Sequence, residues 1–137
     1  MSSPEELRAI ISKANSKLLS ARESFSAGFM DDASSRAYYA AFHAVAAVLF
    51  DAGTSFSSHK QTIGAFNRDY ISRDLFPREF SRSLTRLFEN RQLGDYSIVK
   101  TISSDTAAED IESAESILAA CKKFLEVKNG LPPTFWG

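Results

Sequence analysis

The run Asp32-Ala33-Ser34-Ser35-Arg36-Ala37-Tyr38-Tyr39-Ala40-Ala41-Phe42-His43-Ala44-Val45-Ala46-Ala47-Val48-Leu49-Phe50-Asp51-Ala52 decides the fold. Read as a helix it is apolar on nearly every side rather than along one stripe. Such a helix is stable in water only when neighbours cover several of its faces, so it reads as the central helix of a bundle. Gly53 ends it, and a Ser-rich turn follows from Thr54 to Ser58.

The flanking segments supply the cover. Upstream, Leu7, Ile10, Ile11, Ala14, Leu18, Ala21 and Phe25 recur at three- and four-residue steps, one apolar stripe on a helix. Ser3 is its expected N-cap, Pro4 its first residue and Glu6 the partner that closes a capping box; Gly28 ends it. Downstream, a short third helix is expected from about His59 to Ile71, capped by Ser57 or Ser58. A fourth starts near Pro77 and reaches at least Arg91, with Gly94 expected to break or bend it. A fifth, from about Asp105 to Val127, places Ile111, Ala114, Leu118, Cys121 and Leu125 on one stripe, with Cys121 as a core residue.

No strand alternation, internal repeat or Gly-rich phosphate loop interrupts these patterns. The expected fold is all-α, an up-and-down four-helix bundle with one additional short helix in a single domain over residues 1–128. An extended tail covers 129–137, with Pro132-Pro133 leading to Phe135-Trp136 and the terminal Trp docked on the protein's own surface.

Composition narrows the function. The 137 residues carry 16 Lys+Arg against 17 Asp+Glu, with 44% hydrophobic and 24% charged residues, the balance of a soluble globular protein. A chain of this length buries roughly two-thirds of its unfolded surface and needs neither metal nor disulfide to hold together. A single cysteine excludes a disulfide framework and a multi-cysteine zinc site. The longest weakly charged apolar stretch, Ala37 to Phe50, falls short of the ~17 residues that span a bilayer. With no leader pattern ahead of the first helix, the expectation is a cytoplasmic protein with no membrane contact. Charge is uneven: residues 60–91 carry seven Lys/Arg against four Asp/Glu, a modest positive surface short of a dedicated nucleic-acid binder.

Two places break the helical rules. At ~100° per residue, with Arg78 as zero, Arg78, Arg82 and Arg86 form a solvated basic stripe at about 0°, 40° and 80°. Phe80, Leu84, Leu87 and Phe88 make the core face, and Arg91 lands in its middle near about 220°. A guanidinium there needs a carboxylate partner, for which Asp95 stands one turn on, or it faces a cleft or subunit interface. In the central helix, Tyr39, Ala40, His43 and Ala47 cluster within about 60° of Arg36, opposite the ordinary core side of Tyr38, Phe42, Val45 and Leu49. His43 reads either as a satisfied core histidine or as a site residue. His59, in the first turn of the third helix, shares a face with Ile63, Phe66 and Tyr70 and points inward. The positive helix N-terminus disfavours its charged form. Two scattered histidines without an HExxH pattern exclude a zinc hydrolase, and no GxSxG or Cys/His motif supplies a nucleophile. Inward-facing helical carboxylates of the kind a di-iron bundle needs are not expected.

Three runs together resemble the HEPN superfamily, nearest its small stand-alone helical branch: Ser35-Arg36-Ala37-Tyr38-Tyr39-Ala40-Ala41-Phe42-His43-Ala44, Ser58-His59-Lys60, and Phe88-Glu89-Asn90-Arg91-Gln92-Leu93-Gly94-Asp95-Tyr96. The resemblance covers about Leu7 to Leu125. It implies a bundle of the expected kind, a homodimer, and kinship with toxins encoded beside a minimal nucleotidyltransferase. It also implies a metal-independent RNase motif, an Arg with a His four to six residues beyond it, facing a dimer cleft. Arg91 matches the Arg, but the His positions hold Tyr96, Ser97 and Ile98. A general acid–base works best near pH 7, whereas a tyrosine titrates near 10. Tyr96 is thus a poor base, although it is the nearest candidate for the tyrosine that partners modify in some members.

Three functions remain. The first is a dimeric HEPN partner of a nucleotidyltransferase in a toxin–antitoxin-like module, its RNA- or nucleotide-facing cleft built on Arg91, Tyr96 and Asp95. Arg36, Tyr39, His43, His59 and Lys60 are further cleft candidates, and no metal or cofactor is implied. The second is a non-catalytic helical binding or dimerisation module in which Arg91 and Asp95 form a structural salt bridge. The third is a weak metal-independent endoribonuclease that borrows His43 or His59.

Overall fold

Ser3 opens the first helix as the capping box requires. Its hydroxyl accepts from the Glu6 N–H at 3.2 Å, and the Glu6 carboxylate accepts from the Ser3 N–H at 3.1 Å. The computed structural model describes residues 3–99 and 101–137, which form five α-helices: α1 Pro4–Ser26, α2 Met30–Asp51, α3 His59–Phe66, α4 Glu79–Tyr96 and α5 Ser104–Asn129. Among the described residues there is no strand. Four long helices form the bundle, and α3 packs on α2.

The apolar run that decides the fold does become the centre. α2 packs against α1, α3, α4 and α5. Ala37, Tyr38, Ala40, Ala41, Ala44, Val45, Ala47 and Val48 are fully buried, spread around the helix rather than along one side. The five alanines among them leave little bulk between axes, and the separation of packed helices is set by the side chains at the contact. Leu7, Ile11, Ala14, Leu18 and Ala21 of α1 and Ala114, Ile117, Leu118, Cys121 and Leu125 of α5 fill the same core. Cys121 is buried, and the apolar surroundings push its thiol pKa far up, so it is inert.

Ser58, rather than Ser57, caps α3 by accepting from the Gln61 N–H at 3.0 Å. The third helix reaches Ile71 as expected, but its last five residues, Asn67–Ile71, form a π-helical turn. That turn brings Tyr70 against Phe66, with ring centroids 5.6 Å apart, and Phe76 and Phe124 complete an aromatic plug.

Three expectations need correction. Gly94 does not break α4, which continues to Tyr96. Its missing side chain serves close approach: a Cβ there would lie 3.3 Å from the Asp31 Cβ and 3.4 Å from the Asp31 Cα, in the first turn of α2. Asp31 is itself fixed, its carboxylate accepting from the Ile102 N–H at 2.8 Å. Second, Arg86 is not part of a solvated stripe. It reaches α5, donating to the Ser113 hydroxyl at 2.6 Å and lying 3.3 Å from Glu109 and 3.7 Å from Asp110. Third, one helical carboxylate does face inward. Asp110 is completely buried and accepts from the Ser34 hydroxyl at 2.6 Å and from the Asn90 amide at 3.1 Å. Burial raises its pKa, against the opposing pull of these donors and of Arg86.

The tail is not extended throughout. Gly130 takes the left-handed conformation at the end of α5, and Pro133–Trp136 form a 3-10 turn. The turn docks on the bundle. The Trp136 indole N–H donates to Glu126 at 2.8 Å, the Arg8 guanidinium donates to the Phe135 carbonyl at 2.9 Å, and it sits 4.2 Å from the Phe135 ring centre.

Candidate functional site

Arg91 lies on α4 one turn before Gly94, and that glycine's contact with Asp31 holds this part of α4 against the start of α2. The guanidinium Cζ stands 5.5 Å from the Tyr38 ring centre and 5.3 Å from that of Tyr39. Successive helical side chains point about 100° apart, so contact with both means that Arg91 covers the seam between two faces of α2. Cation–π attraction to each ring is worth about 0.5–1 kcal/mol at such partly open sites.

Its charge partner is Asp95, with Nε 3.6 Å from the carboxylate, and Ser35 donates to the same carboxylate at 3.5 Å. The ion pair spans one helical turn, and the Arg91 side chain keeps 15% of its surface exposed. The buried Nε makes no hydrogen bond. Burial opposes the charge, but Tyr39, Tyr96 and Asp95 outweigh it and hold the pKa above the ordinary arginine value. Tyr96, at the end of α4, is 71% exposed.

His59 joins this group from α3. The Tyr38 hydroxyl is 3.0 Å from His59 Nδ1, and the His59 ring lies 5.7 Å from Tyr39 and 3.9 Å from Phe42. Tyr38 is fully buried, and its hydroxyl and His59 Nδ1 are hydrogen-bonded to each other, with the donor set by the His59 tautomer. Burial, and next the Arg91 charge, lower the His59 pKa, while burial raises that of Tyr38 to about 12. Tyr38, placed by the helical wheel on the plain core side, is therefore a member of the site. The signal for it was the Tyr-Tyr pair itself, which straddles a seam.

His43 is half-buried beside Tyr39 and Phe42, with ring centres 6.3 and 5.6 Å away. Neither ring nitrogen is hydrogen-bonded to a described residue, and the half-exposed ring is open to solvent. Burial, then Lys13, Lys17 and His59, lower its pKa to about 4. A ring with a folded pKa below its unfolded value of about 6.5 stabilises the fold above that pH. The contribution, about 1–2 kcal/mol after allowance for solvent, is lost as pH falls from about 6.5 towards 4. Histidine ring NMR is expected to show the His43 midpoint near about 4; a midpoint at 6 or above on the ordinary scale would overturn this.

Of the other candidates, Arg36 is half-buried on the Tyr39 face of α2 without an ion pair to any described residue, and Lys60 is exposed next to His59. The structure thus brings Arg91, Asp95, Tyr38, Tyr39 and His59 together, with His43 beyond Tyr39. The basic segment is largely neutralised: Arg68 pairs with Asp69, Arg78 with Asp74, Arg86 with Glu109 and Asp110, and Arg91 with Asp95. Among the described residues no three His, Cys, Asp or Glu side chains converge as a metal would require. No helix there is long and apolar enough to cross a membrane.

Comparison with known proteins bears on this geometry. A UPF0332 protein of Thermotoga maritima is 34% identical over 97 residues, covering 71% of this chain and 74% of that one. A UPF0332 protein of Archaeoglobus fulgidus is 32% identical over 118 residues, 86% of this chain and 94% of its own. A Methanocaldococcus jannaschii protein named as a candidate toxin is 27% identical over 124 residues, 90% of this chain and 84% of its own. The HEPN domain matches residues 7–126, nearly the whole bundle. Four helices packed around an alanine-rich fifth, and that match along their length, make this chain a member of the HEPN domain family.

Proposed function

We propose that this chain is the HEPN component of a toxin–antitoxin-like pair, a homodimer whose cleft presents Arg91, Asp95 and Tyr96 to RNA or nucleotide, with a nucleotidyltransferase as its partner. The supporting observation is Arg91, a guanidinium laid across two tyrosine rings with one ion pair of 3.6 Å and an exposed Tyr96 at the end of the same helix. A cation so held can donate to a phosphate oxygen in exchange for Asp95. RNA cleavage by this cleft is weak or absent. Tyr96 replaces the expected histidine, and burial lowers the pKa of both His43 and His59, which disfavours the imidazolium form a general acid needs.

The test is incubation of the chain with the nucleotidyltransferase and ATP, read by intact mass. A gain of one adenylyl group per chain, lost in Tyr96→Phe, is the expected result; no gain by the wild type would overturn the pairing. The Arg91–Asp95 ion pair also favours a second reading, a binding module in which the pair is structural. Arg91→Ala separates the two. Loss of the dimer or a large fall in Tm supports the structural role. A stable dimer that no longer retains RNA supports the cleft.

A further inference from the structure

A cavity of about 270 Å³, with Phe42 in its wall, opens between α1, α2, the turn before α3 and Thr62 of α3. Phe42, Leu49, Phe50 and Phe56 line it with apolar surface, and no carboxylate does. Lys13 is the one charged residue in the lining, and Lys17, one turn further along α1, adds its field at His43. Neither lysine is ion-paired to any described residue. The hydroxyls of Thr54 and Thr62 are already donated to the Leu49 and Ser58 carbonyls. The His43 ring, which also lines the cavity, has no such partner.

We propose that this cavity binds a small aromatic anion, its ring against the Phe42, Phe50 and Phe56 wall, its negative group at Lys13 and a polar edge on the His43 ring. The charge follows from the lining: one unpaired ammonium and no acid. The ring follows from the aromatic wall, where flat groups gain edge and stacking contacts. The size follows from the volume, which lies just under the roughly 300 Å³ where sites for drug-sized ligands begin, enough for one or two fused rings. His43 suits the task because it is neutral at pH 7: it offers one N–H and one lone pair without repelling Lys13. The cavity borders the Arg91 group through Phe42 and His43 but contains neither Arg91, Asp95 nor Tyr96, so it does not depend on the proposed RNA reading.

The probe is 2-naphthoate, titrated into the full chain labelled at its two histidines and followed by ring NMR. A saturable shift of the His43 signals is expected, with the His59 signals moving less. Binding should weaken at least threefold in Lys13→Gln, an exposed position that leaves the core untouched, and at least threefold when neutral 2-naphthamide replaces the acid. Absence of any His43 shift up to about 5 mM, near the weak limit of specific binding, overturns the site. Equal affinity for acid and amide, or for wild type and Lys13→Gln, overturns the charge assignment and with it the proposal.

Discussion

Asp110→Ala is expected to cost the fold about 3 kcal/mol, lowering Tm by about 10 °C for a domain of this size. The carboxylate is completely buried and accepts from Ser34 on α2 and Asn90 on α4, so it ties three helices together at one point. Truncation leaves the buried Ser34 hydroxyl and the half-buried Asn90 amide without their acceptor, at about 1–1.5 kcal/mol each, and removes a charge partner from Arg86. Asp110→Asn gives the contrast. It keeps the volume and one acceptor oxygen, enough to take both Ser34 and Asn90 as Oδ2 does, and removes a charge whose burial is already unfavourable, as the raised pKa records. Its cost should stay near 1 kcal/mol or below. Urea unfolding followed by circular dichroism measures both; equal losses for Ala and Asn would show that the charge, not the hydrogen bonding, matters.

Tyr38→Ala is expected to cost about 4 kcal/mol, the range for deleting a fully buried aromatic ring. The ring is enclosed by Tyr39, Phe42, His59 and Phe88, so little can collapse into the void without moving α3 or α4. Tyr38→Phe keeps the ring and loses only the hydroxyl, about 1 kcal/mol. It also removes the hydrogen-bond partner of His59 Nδ1, so the His59 midpoint should change. Unfolding curves and histidine NMR on the two variants separate packing from proton placement. An unchanged His59 midpoint in Tyr38→Phe would mean that the hydroxyl does not set the ring's protonation.

Most of the architecture was legible because it rests on local rules. The Ser3–Glu6 capping box, the Ser58 cap and the alanine-rich centre each follow from a few neighbouring residues. The departures come from long-range contacts. Asp110 stands three residues after Ala107 and four before Ala114, both buried, so its place on the inner stripe was there to be read; its charge argued for solvent, and Ser34 and Asn90 lie far away in sequence. Gly94 looks like a helix breaker until Asp31 is seen pressed against it. Arg91 was singled out by its position on an apolar face, and its nearest charge, Asp95, is local. Its two ring partners and the approach of His59 through Tyr38 depend on how α2, α3 and α4 cross, which no periodicity encodes.

The docked tail also decides what light can report about this molecule. Trp136, the sole indole, is held by Glu126 and by the Phe135 ring, and no residue of its turn is fully buried. The indole also packs against the core, so its emission reads the undocking of this turn from the bundle's edge, an opening with its own free energy. Helicity reads the bundle as a whole, and agreement between the two signals is the measure of how tightly that edge is coupled to the core.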